Sequence, residues 1–176
     1  MTVSSWRRVD DNMIPPRGKI AGAYVNSAFI KTDAQRAGFD EAIVLNQDGH
    51  ISEGSAENLF MVRNGVAATP PVTDNILEGL TRRSVLTLLQ DELRVPVVER
   101  PIDRTELYLA DEVFFVGTGV QIASIIKIDS RPVGSGRMGN VTKDLRDLYF
   151  NVVRGRVKKY RQWCSPVYIG KTAHRK

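Results

Sequence analysis

This 176-residue sequence carries a single cysteine, Cys164, and only two histidines. A lone thiol excludes an internal disulfide, supplies no zinc ligand set and suits a reducing cytoplasm; no metal is expected. His50 and His174 are expected at the surface, and no Ser/His/Asp arrangement can be built from them. The most apolar stretch, Val113 to Ile126, is interrupted by Gly, Thr and Gln and is too short to span a bilayer. The opening residues, Met1 to Arg8, lack the apolar core of a secretion signal, so the sequon Asn140-Val141-Thr142 carries no weight. Acidic residues are missing from Leu148 to Lys176, where there are eight Lys or Arg. The remainder holds 17 basic against 20 acidic side chains, so the net charge of +5 belongs to one end. Without an aromatic platform or an RNA-binding signature, that end reads as a solvated helix face and a basic tail (161–176). Neither nucleic acid nor a membrane is expected as a partner.

What is present is an ordinary globular composition, 42% hydrophobic and 26% charged, in a length suited to one domain with a real core. Apolar residues recur at helical spacing over 21–38, where Gly38 closes the pattern. Asp40 to Asn46 reads as a strand and Gln47-Asp48-Gly49-His50 as a hairpin turn. Ile51 to Glu53 and Asn58 to Arg63 follow as strands, with Asn64-Gly65 as a second turn. Prolines make 68–73 an irregular connection. Gly79 opens an amphipathic helix running to about Leu93. Pro96 to Arg100 reads as a strand, Thr105 to Ala110 as a short helix and Glu112 to Val116 as a buried strand. Ile122 to Val133 has the look of a hairpin turning near Asp129-Ser130, and a last helix covers Val141 to about Val153. No repeat or low-complexity linker divides the chain, so the fold class is α+β with mixed strands.

Lys19 is followed 34 residues later by Glu53, and then by Gly79-Leu80-Thr81 and Gly117-Thr118-Gly119. A lysine amine holds an aldehyde as a Schiff base, and a carboxylate holds a protonated pyridine nitrogen. Glycine-flanked threonine segments hold a phosphate. These are the three handles of pyridoxal 5'-phosphate (PLP). With Ser4-Ser5-Trp6-Arg7-Arg8, Glu57-Asn58-Leu59-Phe60, Ile76 to Arg82 and Leu107 to Phe115, the order and spacing resemble the class IV (fold type IV) aminotransferases. The likeness is to the branched-chain amino acid aminotransferases especially.

That resemblance implies the PLP-binding larger domain of the D-amino acid aminotransferase-like fold over 17–160, with an interdomain connection at 1–16. It implies that Lys19 bonds the cofactor and shuttles the Cα proton. Glu53 would keep the pyridine nitrogen protonated, so that the ring withdraws electrons. Tyr24 would hydrogen-bond the ring hydroxyl and Leu77 would pack on the ring face. The phosphate would sit at the helix start formed by Leu80 and Thr81, with Thr118 adding a hydroxyl. The backbone of Gly119 and Val120 would face the substrate carboxylate. The implied reaction exchanges the amino group of leucine, isoleucine or valine with 2-oxoglutarate, in a cytoplasmic homodimer.

Thr118-Gly119-Val120-Gln121-Ile122 departs from the Thr-Ala-Ala-Glu-Ile of the branched-chain pattern, which leaves the substrate walls open. A D-amino acid transaminase or an aminodeoxychorismate lyase therefore stays in play. The family's smaller N-terminal domain, which supplies a phosphate-binding arginine, has no counterpart in the sequence. The expectation is a piece of a longer enzyme, with a catalytically silent PLP-binding or interaction domain as the alternative. Gly134-Ser135-Gly136-Arg137-Met138-Gly139 matches a dinucleotide fingerprint, but no second strand or acidic residue follows it as that motif requires. It is expected to be a turn into the last helix.

Overall fold

Turn dipeptides and two-residue alternation lay out most of the strands in the computed structural model, which describes residues 1–167. In chain order, β1 (Thr2–Arg7) is followed by α1 (Tyr24–Arg36), β2 (Ala42–Leu45), β3 (Ile51–Gly54), β4 (Asn58–Arg63) and β5 (Val66–Thr69). Then come α2 (Leu80–Asp91), β6 (Val97–Glu99), β7 (Glu112–Gly117) and β8 (Gln121–Ile125). The short strands β9 (Lys127–Ile128) and β10 (Arg131–Pro132) precede α3 (Asn140–Val153).

The larger sheet has the order β6-β5-β4-β7-β8, and the smaller one β1-β2-β3. Each contains one parallel pair, β5 with β6 and β1 with β2. Parallel pairs need a crossover, and α2 and α1 supply it. The antiparallel pair β4–β5 turns on Asn64 and Gly65, at φ 52° and 75°, as a hairpin with the native strand twist demands.

The central strands β4 and β7 are buried on both faces, so their runs are continuously apolar. On one side Leu59, Met61, Val113 and Phe115 join Ile43, Ile51, Ile102 and Ile128. On the other, Phe60, Val62, Phe114 and Val116 meet Val85, Leu88 and Leu89 of α2 and Leu145 of α3. Phe60 and Phe114 are register partners whose rings stack at 5.4 Å. Full burial of each such ring contributes roughly 1.5–3 kcal/mol.

Several elements differ from the sequence reading. The stretch 68–73 is not wholly irregular: β5 runs to Thr69, whose Oγ1 donates to Leu59 O at 2.7 Å, and Pro70 and Pro71 end the strand. The helix read over 21–38 begins as a 3-10 turn at Ala21–Ala23, and the one read over 105–110 is 3-10 throughout (Arg104–Leu109). Within 122–133 only β9 and β10 pair as the hairpin, turning on Asp129 and Ser130 at φ 48° and 65°, because β8 pairs back onto β7. Thr2 to Arg7, assigned no strand in the sequence, pairs with β2. The first residues of the 161–176 tail lie in a 3-10 turn, Lys158–Trp163, while the part beyond 167, His174 included, lies outside the described residues.

The glycines of 134–139 serve close packing. A Cβ on Gly134 would collide with Asp111 O, and one on Gly139 with the Glu112 carboxylate. That carboxylate occupies the start of α3, accepting from Val141 N–H at 3.0 Å and Thr142 N–H at 2.7 Å. A dinucleotide phosphate would need the same N–H groups.

Candidate active site

The segment between β1 and α1 presents Lys19. Pro15 and Pro16 force the chain into a 3-10 turn, Pro16–Gly18, which ends on Lys19 in the left-handed region at φ 48°, ψ 42°. That conformation costs a side-chain-bearing residue about 1–2 kcal/mol, and strain of this kind clusters at functional sites. Nζ donates to Tyr24 Oη at 3.0 Å. Tyr24 is the first residue of α1, five positions on.

Glu53, at the end of β3, forms the floor of the same cavity and is 2% exposed. One carboxylate oxygen, Oε1, lies 2.7 Å from Arg8 Nη2. The other accepts from Asn58 Nδ2 at 2.9 Å and from Leu77 N–H at 3.1 Å. Burial pushes Glu53 up to about 7, against the pull of the Arg8 guanidinium and the Leu77 N–H. Asn58 also donates to Leu77 O at 2.8 Å, so one amide locks the 77–79 turn against β4.

That turn delivers the start of α2. Gly79 is its N-cap and offers no side-chain cap, and the first intrahelical bond runs from Arg83 N–H to Gly79 O at 3.0 Å. The N–H groups of Leu80, Thr81 and Arg82 therefore have no partner within the helix, and with the helix dipole they favour an anion. Thr118 and Gly119, in the loop joining β7 to β8, close the opposite wall.

The cavity measures about 370 Å³, within the range of small-molecule sites. Lys19, Tyr24, Glu53 and Leu77 all line it, as do Leu80, Thr81, Thr118 and Gly119. Val120 does not line it; its side chain packs onto the core cluster around Phe115. Two residues without an assigned role also line it, Arg8 and Asn58. Both lie inside the quoted sequence motifs, but their function is carried by a tertiary contact to Glu53. An amine beside a phenol, a buried carboxylate and an open helix start complement an aldehyde, a cationic ring nitrogen and a phosphate, so the donor set fits a group carrying those three. Among the described residues no cluster of His, Cys, Asp or Glu could hold a metal ion, and no helix is long and apolar enough to cross a membrane.

The family described as amino-transferase class IV matches residues 1–128. The chain is 55% identical over 166 residues to a probable branched-chain-amino-acid aminotransferase of Aquifex aeolicus, covering 94% of this chain and 53% of that protein. It is 41% identical over 165 residues to the branched-chain-amino-acid aminotransferase of Escherichia coli K12, with the same coverage of each. The crystal structure of the branched-chain aminotransferase from Thermoproteus uzoniensis with norvaline is similar at TM-score 0.91 and 46% identity. That match covers 95% of this chain and 55% of the other. The PLP-form enzyme of Thermobaculum terrenum is similar at TM-score 0.93 and 42% identity, over 96% of this chain and 55% of the other. The chain thus spans about half the length of the curated relatives it matches.

Proposed function

The chain belongs to the class IV amino-transferases, and from that premise we propose that it is the PLP-binding part of a branched-chain amino acid aminotransferase. The reaction assigned to the whole enzyme transfers the amino group of leucine, isoleucine or valine to 2-oxoglutarate. The observation that carries this reading is the pairing of Lys19 Nζ with Tyr24 Oη at 3.0 Å across one cavity from a buried Glu53. The residues fit PLP, which when bound supplies an aldehyde to take up the amino group and a cationic ring to withdraw electrons from Cα.

Lys19 binds the cofactor through Nζ and, once freed by substrate, takes the proton from Cα and returns it on the opposite side of the exchange. Tyr24 Oη, already bonded to Nζ, orients the amine and binds the ring hydroxyl. Glu53 holds the proton on the ring nitrogen, and Leu77 packs on the ring face. The N–H groups of Leu80 and Thr81 bind the phosphate, with Thr118 Oγ1 beside them. The backbone of Gly119 and Val120 faces the substrate carboxylate; for Val120, whose side chain points into the core, only the main chain serves.

The same reading places the enzyme in the cytoplasm as a homodimer. Its domain plan is an interdomain connection at 1–16, the PLP-binding domain at 17–160 and a basic tail at 161–176. The reducing compartment is supported by the lone Cys164. An exposed apolar face supports further covering: Trp6 stacks on Phe29 at 5.2 Å, with Phe29 51% and Val25 61% exposed. The test is borohydride reduction in the presence of PLP followed by peptide mass mapping. The label is expected on Lys19, and a label on any other lysine overturns the assignment. Lys19→Ala is expected to abolish the cofactor's lysine-linked absorbance while retaining some non-covalent binding.

A further inference from the structure

Arg8 holds Glu53 from behind the cavity floor. It follows β1, and its main chain is fixed on both sides. Its N–H donates to Leu45 O at 2.8 Å and its carbonyl accepts from Gln47 Nε2 at 3.0 Å. The side chain is buried; Nη2 reaches Glu53 Oε1 at 2.7 Å and Nη1 donates to Ser27 Oγ at 3.4 Å. Arg8 therefore occupies one carboxylate oxygen while Asn58 and the Leu77 N–H occupy the other. The carboxylate is gripped at both ends and has no rotational freedom left.

Resting on the reading of this cavity as a PLP site, we propose that Arg8 is a positioning residue whose guanidinium keeps Glu53 ionised and in one orientation, so that the carboxylate accepts the ring N–H of the cofactor. A neutral Glu53 carries a donor of its own and cannot serve a cationic N–H in this way. Burial is the strongest influence on Glu53 and favours the neutral form. Arg8 is the strongest influence against it, ahead of the Leu77 N–H and Lys19, while Glu57 works with burial. Without Arg8 the balance tips to the neutral acid across the neutral pH range. A lysine restores the charge but neither the planar fork nor the second contact to Ser27.

The experiment reads Glu53 directly in this chain without cofactor. The carboxylate stretch is followed by infrared difference spectroscopy against pH, with Glu53→Gln as the background, in wild type, Arg8→Gln, Arg8→Met and Arg8→Lys. The titration midpoint is expected to rise by about one unit or more in the two neutral variants, a tenfold change in the protonation equilibrium per unit, and by less in Arg8→Lys. PLP affinity at pH 7.5 is expected to fall in the same order. An unmoved midpoint in either folded neutral variant overturns the proposal. Should neither neutral variant fold, an unmoved midpoint in Arg8→Lys overturns it. Failure of the PLP reading is a separate result: wild type then takes no borohydride label on Lys19 even though the midpoint still moves, and that outcome overturns the cofactor half of the proposal alone.

Discussion

Asn58 stands where a side chain on Gly79 would go: a Cβ built on Gly79 falls on Asn58 Oδ1. The bare α2 cap and the Asn58 clamp on Glu53 and Leu77 are therefore one arrangement. Gly79 has φ −64°, so alanine meets no backbone strain there and acts only by displacing Asn58. Gly79→Ala is expected to destabilise the chain by about 1–3 kcal/mol, the usual effect of overpacking, and to weaken PLP binding. Urea unfolding and a PLP titration measure the two effects. Unchanged PLP affinity would separate the cap from the carboxylate clamp.

Glu53→Gln keeps the shape of the floor and removes its charge. In a full-length enzyme carrying this site, transamination is expected to fall roughly 10²-fold or more, the scale of losing one electrostatic stabiliser. PLP binding should weaken less. Steady-state rates with leucine and 2-oxoglutarate decide it, and near-normal turnover would remove Glu53 from the chemistry.

The 176-residue chain by itself is expected to be a poor aminotransferase. It spans about half the length of its relatives, and the cavity wall at Leu80 is 71% exposed. Transamination depends on excluding water and fixing the substrate carboxylate as well as on the lysine. Supplying the remaining half of a relative as a separate polypeptide is expected to raise the rate. Turnover by the chain alone at ordinary enzyme rates, roughly 1–10³ per second, would show that this half suffices.

Asp129 gives a pH signature unconnected with the cavity. Partial burial alone would raise its pKa. Hydrogen bonds from Tyr108 Oη, Val3 N–H, Thr2 Oγ1 and Arg104 outweigh that and hold it at about 2, below the ordinary 3.8. A carboxyl held lower in the folded state stabilises the fold above its unfolded pKa, and that contribution disappears as pH falls through its folded one. The contribution is on the order of 2 kcal/mol. Asp129→Asn is expected to lower stability near pH 6 and to converge with wild type by about pH 2. Parallel stability curves down to that pH would exclude the carboxylate as the anchor.

Local signals made much of this molecule legible. Asn64-Gly65 and Asp48-Gly49 mark their turns because the backbone angles needed there are set by two residues. Lys19 and Tyr24 could be paired from sequence because they lie one 3-10 turn apart, within a recognisable motif. Arg8 could not be assigned, since its meaning resides in Glu53, 45 residues away. β1 was illegible for a related reason: it is a partly exposed edge strand, rich in Ser and Arg, whose parallel partner begins at Ala42. The proline-flanked end of β5 was misread because Pro70 and Pro71 mark where a strand stops as readily as where one is absent.

The parallel pairing of β1 with β2 has a kinetic consequence. Everything that presents Lys19 lies within the excursion between these two strands, so the lysine reaches its place only when a long loop has closed. Closure of this kind costs chain entropy before any contact rewards it. The excursion also lies outside the doubly covered β4–β7 pair, so its amides are expected to exchange with solvent by local opening well before those of Phe60 and Phe114. Cofactor attached at Lys19 would fasten that excursion, slowing amide exchange along a whole strand–helix unit rather than at the cavity alone.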